Sequence, residues 1–482
     1  MQIKAILTVI ALLISSSLQG KEKPNILFIL ADDLGYMDLS CTGSQVYETP
    51  NIDQLVKDGM IFNNAYASHP RCVPSRYSIF SGRIPGHDGV PGFEDRKASK
   101  HTLPFSRVTW GELLKGAGYS TGYIGKWHLG KKGGEPDKQG FTDSRIANSA
   151  GAPPSYFYPF HESRTPGHGK EKFLHVQGTK DEYLTDRLTE EALDFIEKNQ
   201  EQPFALVLAH YAVHTPLEAP EPTVQKYSKK IAKMGLEVTE GRNDKDFVTV
   251  GNGSSKTVQN NPTYAAMIEH MDRGVGKIRA RLDELGIADN TVIVFTSDHG
   301  GLSTRSKDNK RPIATTNLPY RCGKGWLYEG GVRVPHIVVW PGKVKPSSKS
   351  NQQTLGADHY QSILDIAGIT KPKDVDIDGG SYVPALLGKD EQRSPLFFHS
   401  PLGRPTQTGD HAASALIVGD WKIFQVHETG QTELYNLKED PGEKNDLSHS
   451  NKDKFQQMAV ELSKYKKQYK TKQRYGKESS KN

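Results

Sequence analysis

Three stretches of this chain are apolar at nearly every position rather than at every second one: Asn25-Ile26-Leu27-Phe28-Ile29-Leu30-Ala31, Phe204-Ala205-Leu206-Val207-Leu208-Ala209 and Thr291-Val292-Ile293-Val294-Phe295-Thr296. A strand that shows one face to water alternates, so a continuous run of this length reads as a strand buried on both faces. Between the runs lie helical patterns. Tyr264, Ala265 and Ile268 continue through Met271, Val275, Ile278 and Leu282 at spacings of three and four, and Leu184 to Ile196 reads the same way. Strands alternating with helices predict an α/β domain with a largely parallel sheet. Each run stops at polar residues: the first at Asp32-Asp33, the second at His210 and then His214-Thr215-Pro216, the third at Ser297-Asp298-His299-Gly300-Gly301. In open α/β sheets, ligands bind beyond the carboxyl ends of the strands. One such ending is commonly a turn or a helix cap, but three together favour a site.

The 482 residues suit one large domain plus a smaller one. With 35% hydrophobic and 24% charged residues the chain is neither disordered nor fibrous. Three cysteines exclude a disulfide scaffold and any four-cysteine zinc site. A net charge of +6 is a mild excess that suits an acidic substrate, and no nucleic-acid-binding motif is present, so no nucleic-acid partner is expected. Lys4, the apolar run Ala5 to Ile14 and the small residues Ser15 to Gly20 follow the order of a secretory signal peptide over residues 1–20. The run is about half the length that a membrane span needs, so no span is expected. The short leader and compact loops read as bacterial, which predicts an exported protein, periplasmic as first choice and extracellular as second. After about residue 345 the texture changes. Lys343 to Ser350 reads as a linker, Tyr360 to Ala367 as a short helix, Ala415–Val418, Trp421–Val426 and Glu433–Leu437 as a small antiparallel sheet, and Phe455 to Tyr465 as a closing helix. The expected division is a signal peptide over 1–20, a catalytic α/β domain over 21–345, a linker and connecting helix over 346–412, and a C-terminal α+β subdomain over 413–482.

The stretch richest in chemistry is Cys72-Val73-Pro74-Ser75-Arg76, running on to Ser81-Gly82-Arg83. Pro near its start and Gly82 near its end predict a short helix. Cys72 then sits at the N-terminus, where free N–H groups favour negative charge. From spacing alone, an ordinary free thiol and a nucleophile position stand level. Cys-x-Pro-Ser-Arg followed by Gly-Arg resembles the signature of the formylglycine-dependent type I sulfatases, the arylsulfatase-like branch of the alkaline-phosphatase-like superfamily. The resemblance implies a mixed, largely parallel sheet sandwiched by helices, with a smaller C-terminal subdomain that carries an antiparallel sheet. It implies that a separate maturation enzyme oxidises Cys72 to Cα-formylglycine (3-oxoalanine), with Pro74 and Arg76 matching what that enzyme reads.

Further motifs follow in the family's order. Gly122-Tyr123-Ile124-Gly125-Lys126-Trp127-His128-Leu129-Gly130 is similar to the second signature. Alone it would read as a glycine-rich turn with a solvated lysine; the resemblance implies that Lys126 contacts the sulfate and the aldehyde hydrate and that His128 hydrogen-bonds the hydrate. Asp32 and Asp33 match the calcium pair, and Asp298 with His299 the other half of the metal site, so that one Ca2+ is implied among Asp32, Asp33, Cys72, Asp298 and His299. Many relatives carry Asn where this chain has His299. His214 matches the histidine that protonates the leaving oxygen, His210 is read as structural, and Lys324 in Arg321-Cys322-Gly323-Lys324-Gly325-Trp326 matches the lysine that grips the sulfate. The resemblance extends into the tail, at Glu433-Leu434-Tyr435-Asn436-Leu437 and Asp440-Pro441-Gly442-Glu443.

The implied reaction is hydrolysis of a sulfate monoester. The metal, Lys126, Lys324 and Arg76 gather positive charge around the sulfonate oxygens. The hydrate attacks sulfur, His214 or Lys324 protonates the leaving oxygen, and loss of a proton to His128 lets the hydrate collapse and expel sulfate. The expected substrate is a sulfated oligo- or polysaccharide, with ulvan or carrageenan ahead of glycosaminoglycans and aryl sulfates. Arg305, Arg311 and Arg321 are candidate sugar contacts, the bland reading for each being a solvated surface arginine. Two other classes compete. A phosphatase or phosphotransferase of the same superfamily would carry Ser or Thr as nucleophile and ligands for two zinc ions. A non-catalytic sulfoglycan-binding protein would have no need of Lys126, His128, His214 and Lys324 together.

Overall fold

The computed structural model describes residues 23–88, 103–130, 133–163, 173–241, 243–251, 253–309, 311–391, 393 and 395–469. The leader read over 1–20 and the Lys-rich end from 470 lie outside the described residues.

Eight strands form the main sheet: β1 (Asn25–Ala31), β2 (Met60–Phe62), β3 (Ser120–Gly125), β4 (Asp143–Arg145), β5 (Phe204–Ala209), β6 (Thr291–Ser297), β7 (His336–Val339) and β8 (Ser348–Ser350), in the spatial order β8-β2-β7-β6-β1-β5-β3-β4. Only β7 runs against its neighbours; every other pairing is parallel. The three apolar runs are the adjacent central strands β6, β1 and β5, and the two-faced burial inferred for them is what the side chains show. Leu27, Ile29 and Ala31 pack into one core with α1 (Pro50–Asp58), α4 (Leu184–Lys198), α5 (Glu221–Lys233) and α6 (Pro262–Glu284). Ile26, Phe28 and Leu30 pack into a second core with α2 (Cys72–Ser81), α3 (Trp110–Gly116) and α7 (Asp358–Ala367). Each fully buried Leu, Ile or Phe contributes about 1.5–3 kcal/mol, so the centre of the sheet is the rigid floor on which the strand ends rest.

A second sheet follows in the C-terminal part. β9 (Leu396–Ser400), β10 (Ala413–Val418), β11 (Trp421–Val426) and β12 (Thr432–Asn436) pair antiparallel in sequence order. They pack with α8 (Lys452–Gln468) through Met458 and Leu462 around a third core that includes Trp326, Leu327 and Tyr328. Two elements differ from expectation. The end of the stretch read as a linker, Ser348–Ser350, adds to the edge of the main sheet beside β2, and an edge strand of three residues tolerates a Ser-Lys-Ser sequence because one side of it faces water. β9 lies within the stretch read as a connector and forms the first strand of the second sheet. A small sheet of Phe247–Val250, Gly253–Lys256 and Thr304–Ser306 was not foreseen. No helix among the described residues is long and apolar enough to cross a membrane.

The register aligns the strand ends. Ala31 faces Ser297, and Leu30 and Gly125 both face Ala209. The residues that follow, Asp32, Asp298, Lys126 and His210, therefore leave the sheet along one edge.

Candidate active site

Asp33, just past β1, turns the chain with φ 61, a left-handed conformation that Asp tolerates better than most residues. Its N–H donates to Asp298 Oδ1 at 3.2 Å, which ties the ends of β1 and β6 together. Lys126 follows β3, is fully buried, and donates from Nζ to Asp32 Oδ2 at 2.5 Å. His128 also takes a positive φ, 58, and its ring lies against Gly151, where a Cβ would come within 2.7 Å of it.

Across from these ends stands α2, begun by Arg71 and closed by Gly82 at φ 68, whose N–H returns to Ser78 O at 2.9 Å. Cys72 is its first residue and is 7% exposed. The Cys72 Sγ stands where the reactive atom of a modified side chain would begin. It lies 3.2 Å from His299 Nε2, 3.7 Å from Lys324 Nζ and 3.9 Å from Asp33 Oδ1. Burial alone would raise the thiol, but Lys126, Lys324, His299 and a hydrogen bond with His128 outweigh it and hold Cys72 well below its ordinary value. Position 72 is thus built for a negatively charged atom. Lys324 also bonds both oxygens of Asp33 at 2.7 Å.

The structure brings Asp32, Asp33, Cys72, Arg76, Lys126, His128, His214, Asp298, His299 and Lys324 into one cluster, but not all face the same way. Arg76, expected among the cations around the sulfonate, points into the protein instead. It has no exposure, donates from Nε to Asp298 Oδ2 at 2.9 Å and from Nη1 to the Lys126 carbonyl at 2.7 Å, and lies 3.6 Å from Asp32 Oδ1. Arg76 is a positioning residue that binds two strand ends to the helix of Cys72. His214 donates from Nδ1 to its neighbour's carbonyl, Thr215 O, at 2.6 Å, which leaves Nε2 facing Asp33 at 3.8 Å. Burial, aided by Lys324, lowers it to about 3, so at rest it is neutral with a bare Nε2. To act as an acid it takes up its proton with the substrate; the Lys324 ammonium nitrogen, 3.7 Å from Cys72 Sγ, is the other donor at hand. His210 is buried and lowered to about 4 by desolvation, as a structural histidine would be.

Two of the three arginines expected on the sugar are engaged elsewhere. Arg305 is 3% exposed, pairs with Asp244, stacks over Phe247 and holds the Arg311 carbonyl. Arg321 binds Tyr435 Oη at 2.9 Å and Glu443 O at 3.2 Å and lies over the Tyr328 ring. Arg311 differs: its backbone N–H is held by Asn309, its guanidinium donates no hydrogen bond among the described residues, and burial lowers it while Asp33 acts against that. Three contacts were missed. Ser75 Oγ donates to Asp298 O, Tyr123 Oη to Lys126 O and Leu34 N to Ser297 Oγ. Bonds of this kind, between a side chain and backbone, leave no spacing signature.

The donor set fits a divalent cation. Ligand atoms of Asp32, Cys72, Asp298 and His299 lie within 4.8 Å of one another, and Asp33, Cys72 and His214 form an overlapping group. Asp32 Oδ1 is buried and accepts no hydrogen bond. Burial drives Asp32 well above the carboxylate range, Lys126 pulls against it, and Asp298, Cys72 and Asp33 add to the rise, so a bound cation here would meet buried carboxylates crowded together. His299 donates from Nδ1 to Gly300 O at 3.0 Å, which turns Nε2 toward Asp33 and Asp298, the side from which an imidazole would meet a metal.

The chain has counterparts among known proteins. Residues 24–369 match the sulfatase family, and residues 322–472 match a family described as N-sulphoglucosamine sulphohydrolase, C-terminal. The chain belongs to the sulfatase family. It is a hydrolase of sulfate esters, and it is 31% identical over 398 residues to the human N-acetylgalactosamine-6-sulfatase, covering 78% of this chain and 68% of that protein. It is 29% identical over 508 residues to the N-acetylgalactosamine-6-O-sulfatase of Bacteroides thetaiotaomicron, covering 89% of this sulfatase and 90% of the other. The crystal structure of Ps i-CgsB aligns with a TM-score of 0.74 at 30% identity, covering 94% of each chain, and a further structure of that protein contains k-i-k-neocarrahexaose.

Proposed function

We propose that this sulfatase removes sulfate from sulfated carbohydrates outside the cytoplasm, with position 72 carried as formylglycine beside one calcium ion. The observation that carries the reading is the placement of Cys72: first residue of a helix, buried, within reach of Lys324, His299 and Asp33, and held toward negative charge by its surroundings.

A sulfate monoester is an anion that repels an incoming nucleophile, and its alkoxide leaves poorly, so both barriers are electrostatic. Lys126 and Lys324 place positive charge beside the largely buried position 72, where charge stabilises more than in open solvent. Asp32, Asp33, Asp298 and His299 would hold the ion, which supplies Lewis-acid polarisation of the ester; three carboxylates suit Ca2+. Formylglycine, which a separate maturation enzyme would make from Cys72, would supply as its hydrate one hydroxyl to attack sulfur and a second whose deprotonation would expel sulfate. His128, hydrogen-bonded at position 72, is placed to take the proton of that second hydroxyl. Lys324, and His214 once charged beside the bound anion, stand where a proton for the leaving oxygen is needed. Arg76 and Ser75 keep Asp298 in place. The alternative nucleophiles of a phosphatase, Ser or Thr, are absent from position 72, and the lysines beside it, Lys126 and Lys324, are cations rather than ligands for a second zinc ion.

Sulfated algal polysaccharides, carrageenan or ulvan, are the favoured substrates, supported by the carrageenan-derived oligosaccharide bound to Ps i-CgsB; glycosaminoglycans come second, supported by the N-acetylgalactosamine sulfatases. Arg311 is the arginine left able to meet a sugar's anionic group. The leader over 1–20 supports export, with the periplasm as destination. Incubating the matured protein with defined sulfated oligosaccharides while measuring free sulfate tests the reading. Release from at least one carbohydrate is expected, and release from none with position 72 converted would overturn the carbohydrate assignment.

A further inference from the structure

The segment between β9 and β10 reaches back to the active site through one carboxylate. Asp410 is fully buried. It accepts from Arg71 Nη2 and Thr408 Oγ1, and at Oδ2 from Arg404 N at 3.3 Å. Arg71 is the residue immediately before Cys72, and its other terminal nitrogen donates to Leu402 O at 2.8 Å in the same segment. On its second side Asp410 abuts Gly325, the residue immediately after Lys324: at φ 98, a Cβ there would come within 2.6 Å of Asp410 Oδ1. The two flanks also touch each other, since Gly325 N donates to Pro70 O at 2.8 Å. Trp326 Nε1 adds a bond to Thr408 O at 3.0 Å.

We infer that Asp410 is a positioning residue for desulfation, which sets Lys324 against position 72 without touching either. The inference rests on the proposed roles of Lys324 and position 72. The start of α2 and the Lys324 loop belong to chain segments more than two hundred residues apart, each bonded separately to the residues after β6, Ser75 Oγ to Asp298 O and Lys324 N to Gly301 O at 3.0 Å. The buried Arg71–Asp410 pair and the close approach at Gly325 supply a shared reference point. A carboxylate suits the place because it sets a negative charge against the Arg71 guanidinium in the interior, a pairing a neutral side chain would lose. A displacement of about 1 Å between reacting groups can cost about a hundredfold in rate, so the effect of losing this contact belongs in turnover.

The test compares the full-length wild type, Asp410→Asn, Asp410→Ala and the paired variant Arg71→Met with Asp410→Leu, each checked for conversion of position 72. The paired variant removes both buried charges and guards against simple misfolding of Asp410→Ala. The substrate is 4-nitrophenyl sulfate, which has no sugar to contact the cleft. Expected is a fall in kcat of about tenfold to a hundredfold in Asp410→Ala and in the paired variant, at a temperature well below both melting points, with Asp410→Asn in between. An unchanged kcat with only a lowered Tm would reduce Asp410 to a structural residue and overturn the inference. A crystal structure of the paired variant gives a readout independent of activity: the 3.7 Å approach of Lys324 Nζ to position 72 is expected to change by about 1 Å or more, and an unchanged approach would overturn it. Failure of the converted wild type to hydrolyse any sulfate ester would count instead against the functional reading, leaving that distance to judge Asp410.

Discussion

At the scale of single residues, the groups around position 72 divide by what they face. Lys324 faces the cleft; Arg76 faces inward. Lys324→Ala is therefore expected to lower kcat/KM by about a hundredfold or more, while costing less stability than the loss of the fully buried Arg76. Arg76→Leu takes from Asp298 its buried guanidinium partner and should cost about 3–5 kcal/mol of stability, read by denaturant unfolding. If the two variants exchanged these effects, the division would be wrong. His214 gives a pH prediction. Burial and Lys324 hold it at about 3 in the free site, and a bound cation pushes it the same way. The kcat/KM profile, which reports free-enzyme ionisations, should thus show no limb near pH 6.5 that disappears in His214→Asn.

Asp298 and Asp32 move in opposite directions, and the signs matter. Burial raises Asp298, but His299 and Arg76 overcome it and bring it down to about 2. Its contribution to stability is present above the ordinary carboxylate value near 4 and is lost as pH falls toward 2. Burial raises Asp32, so its ionisation opposes folding as pH rises through the acid range. A bound cation reverses that opposition, and a proton competes with it. Stabilisation of the metal-free protein by added Ca2+, measured as a shift in Tm, should grow from pH 5 to pH 7. It should be largely lost in Asp32→Asn. A shift independent of pH would contradict the assignment of Asp32 as a ligand.

At the scale of elements, legibility follows from how local the determining interactions are. The central strands β1, β5 and β6 were readable because burial on both faces demands an unbroken apolar run. α2 was readable because Pro74 and Gly82 mark its ends within ten residues. The site residues at strand ends followed from the same runs, since parallel strands in register deliver their next residues to one edge. β8 and β9 were hidden, the first because a short edge strand needs no apolar pattern, the second because its partner β10 lies beyond a long excursion. The true target of Arg76 was hidden for a related reason: the motif states that an arginine belongs there, but Asp298 lies more than two hundred positions away. Arg305 and Arg321 were misplaced because proximity in sequence to Asp298 and Lys324 says nothing of which side of the loop a side chain takes.

At the scale of the whole molecule, the C-terminal sheet is bound to the catalytic part by charge as well as by its apolar core. Lys422 on β11 is fully buried and pairs with Glu329 at 3.0 Å and Glu443 at 2.8 Å, and Glu329 in turn receives Arg333 Nε at 2.9 Å. Glu329 lies five residues beyond Lys324, so this network and the Asp410 contact hold the same loop. Burial lifts Glu443 to about 7. Its protonated form favours folding, and that contribution is complete below the ordinary value near 4.3 and lost as pH rises through about 7. Glu443→Gln should therefore flatten the decline in stability across that window, as urea unfolding at several pH values would show; an unaltered decline would assign it to another group.

The measurement closest to the centre of this account is peptide mass spectrometry across position 72 of purified, active enzyme, paired with sulfate-release assays of Cys72→Ala. The account predicts the mass of an aldehyde in place of a thiol, labelling by a hydrazide probe, and no sulfate release from the alanine variant. An intact thiol in fully active protein, or undiminished release from Cys72→Ala, would contradict it.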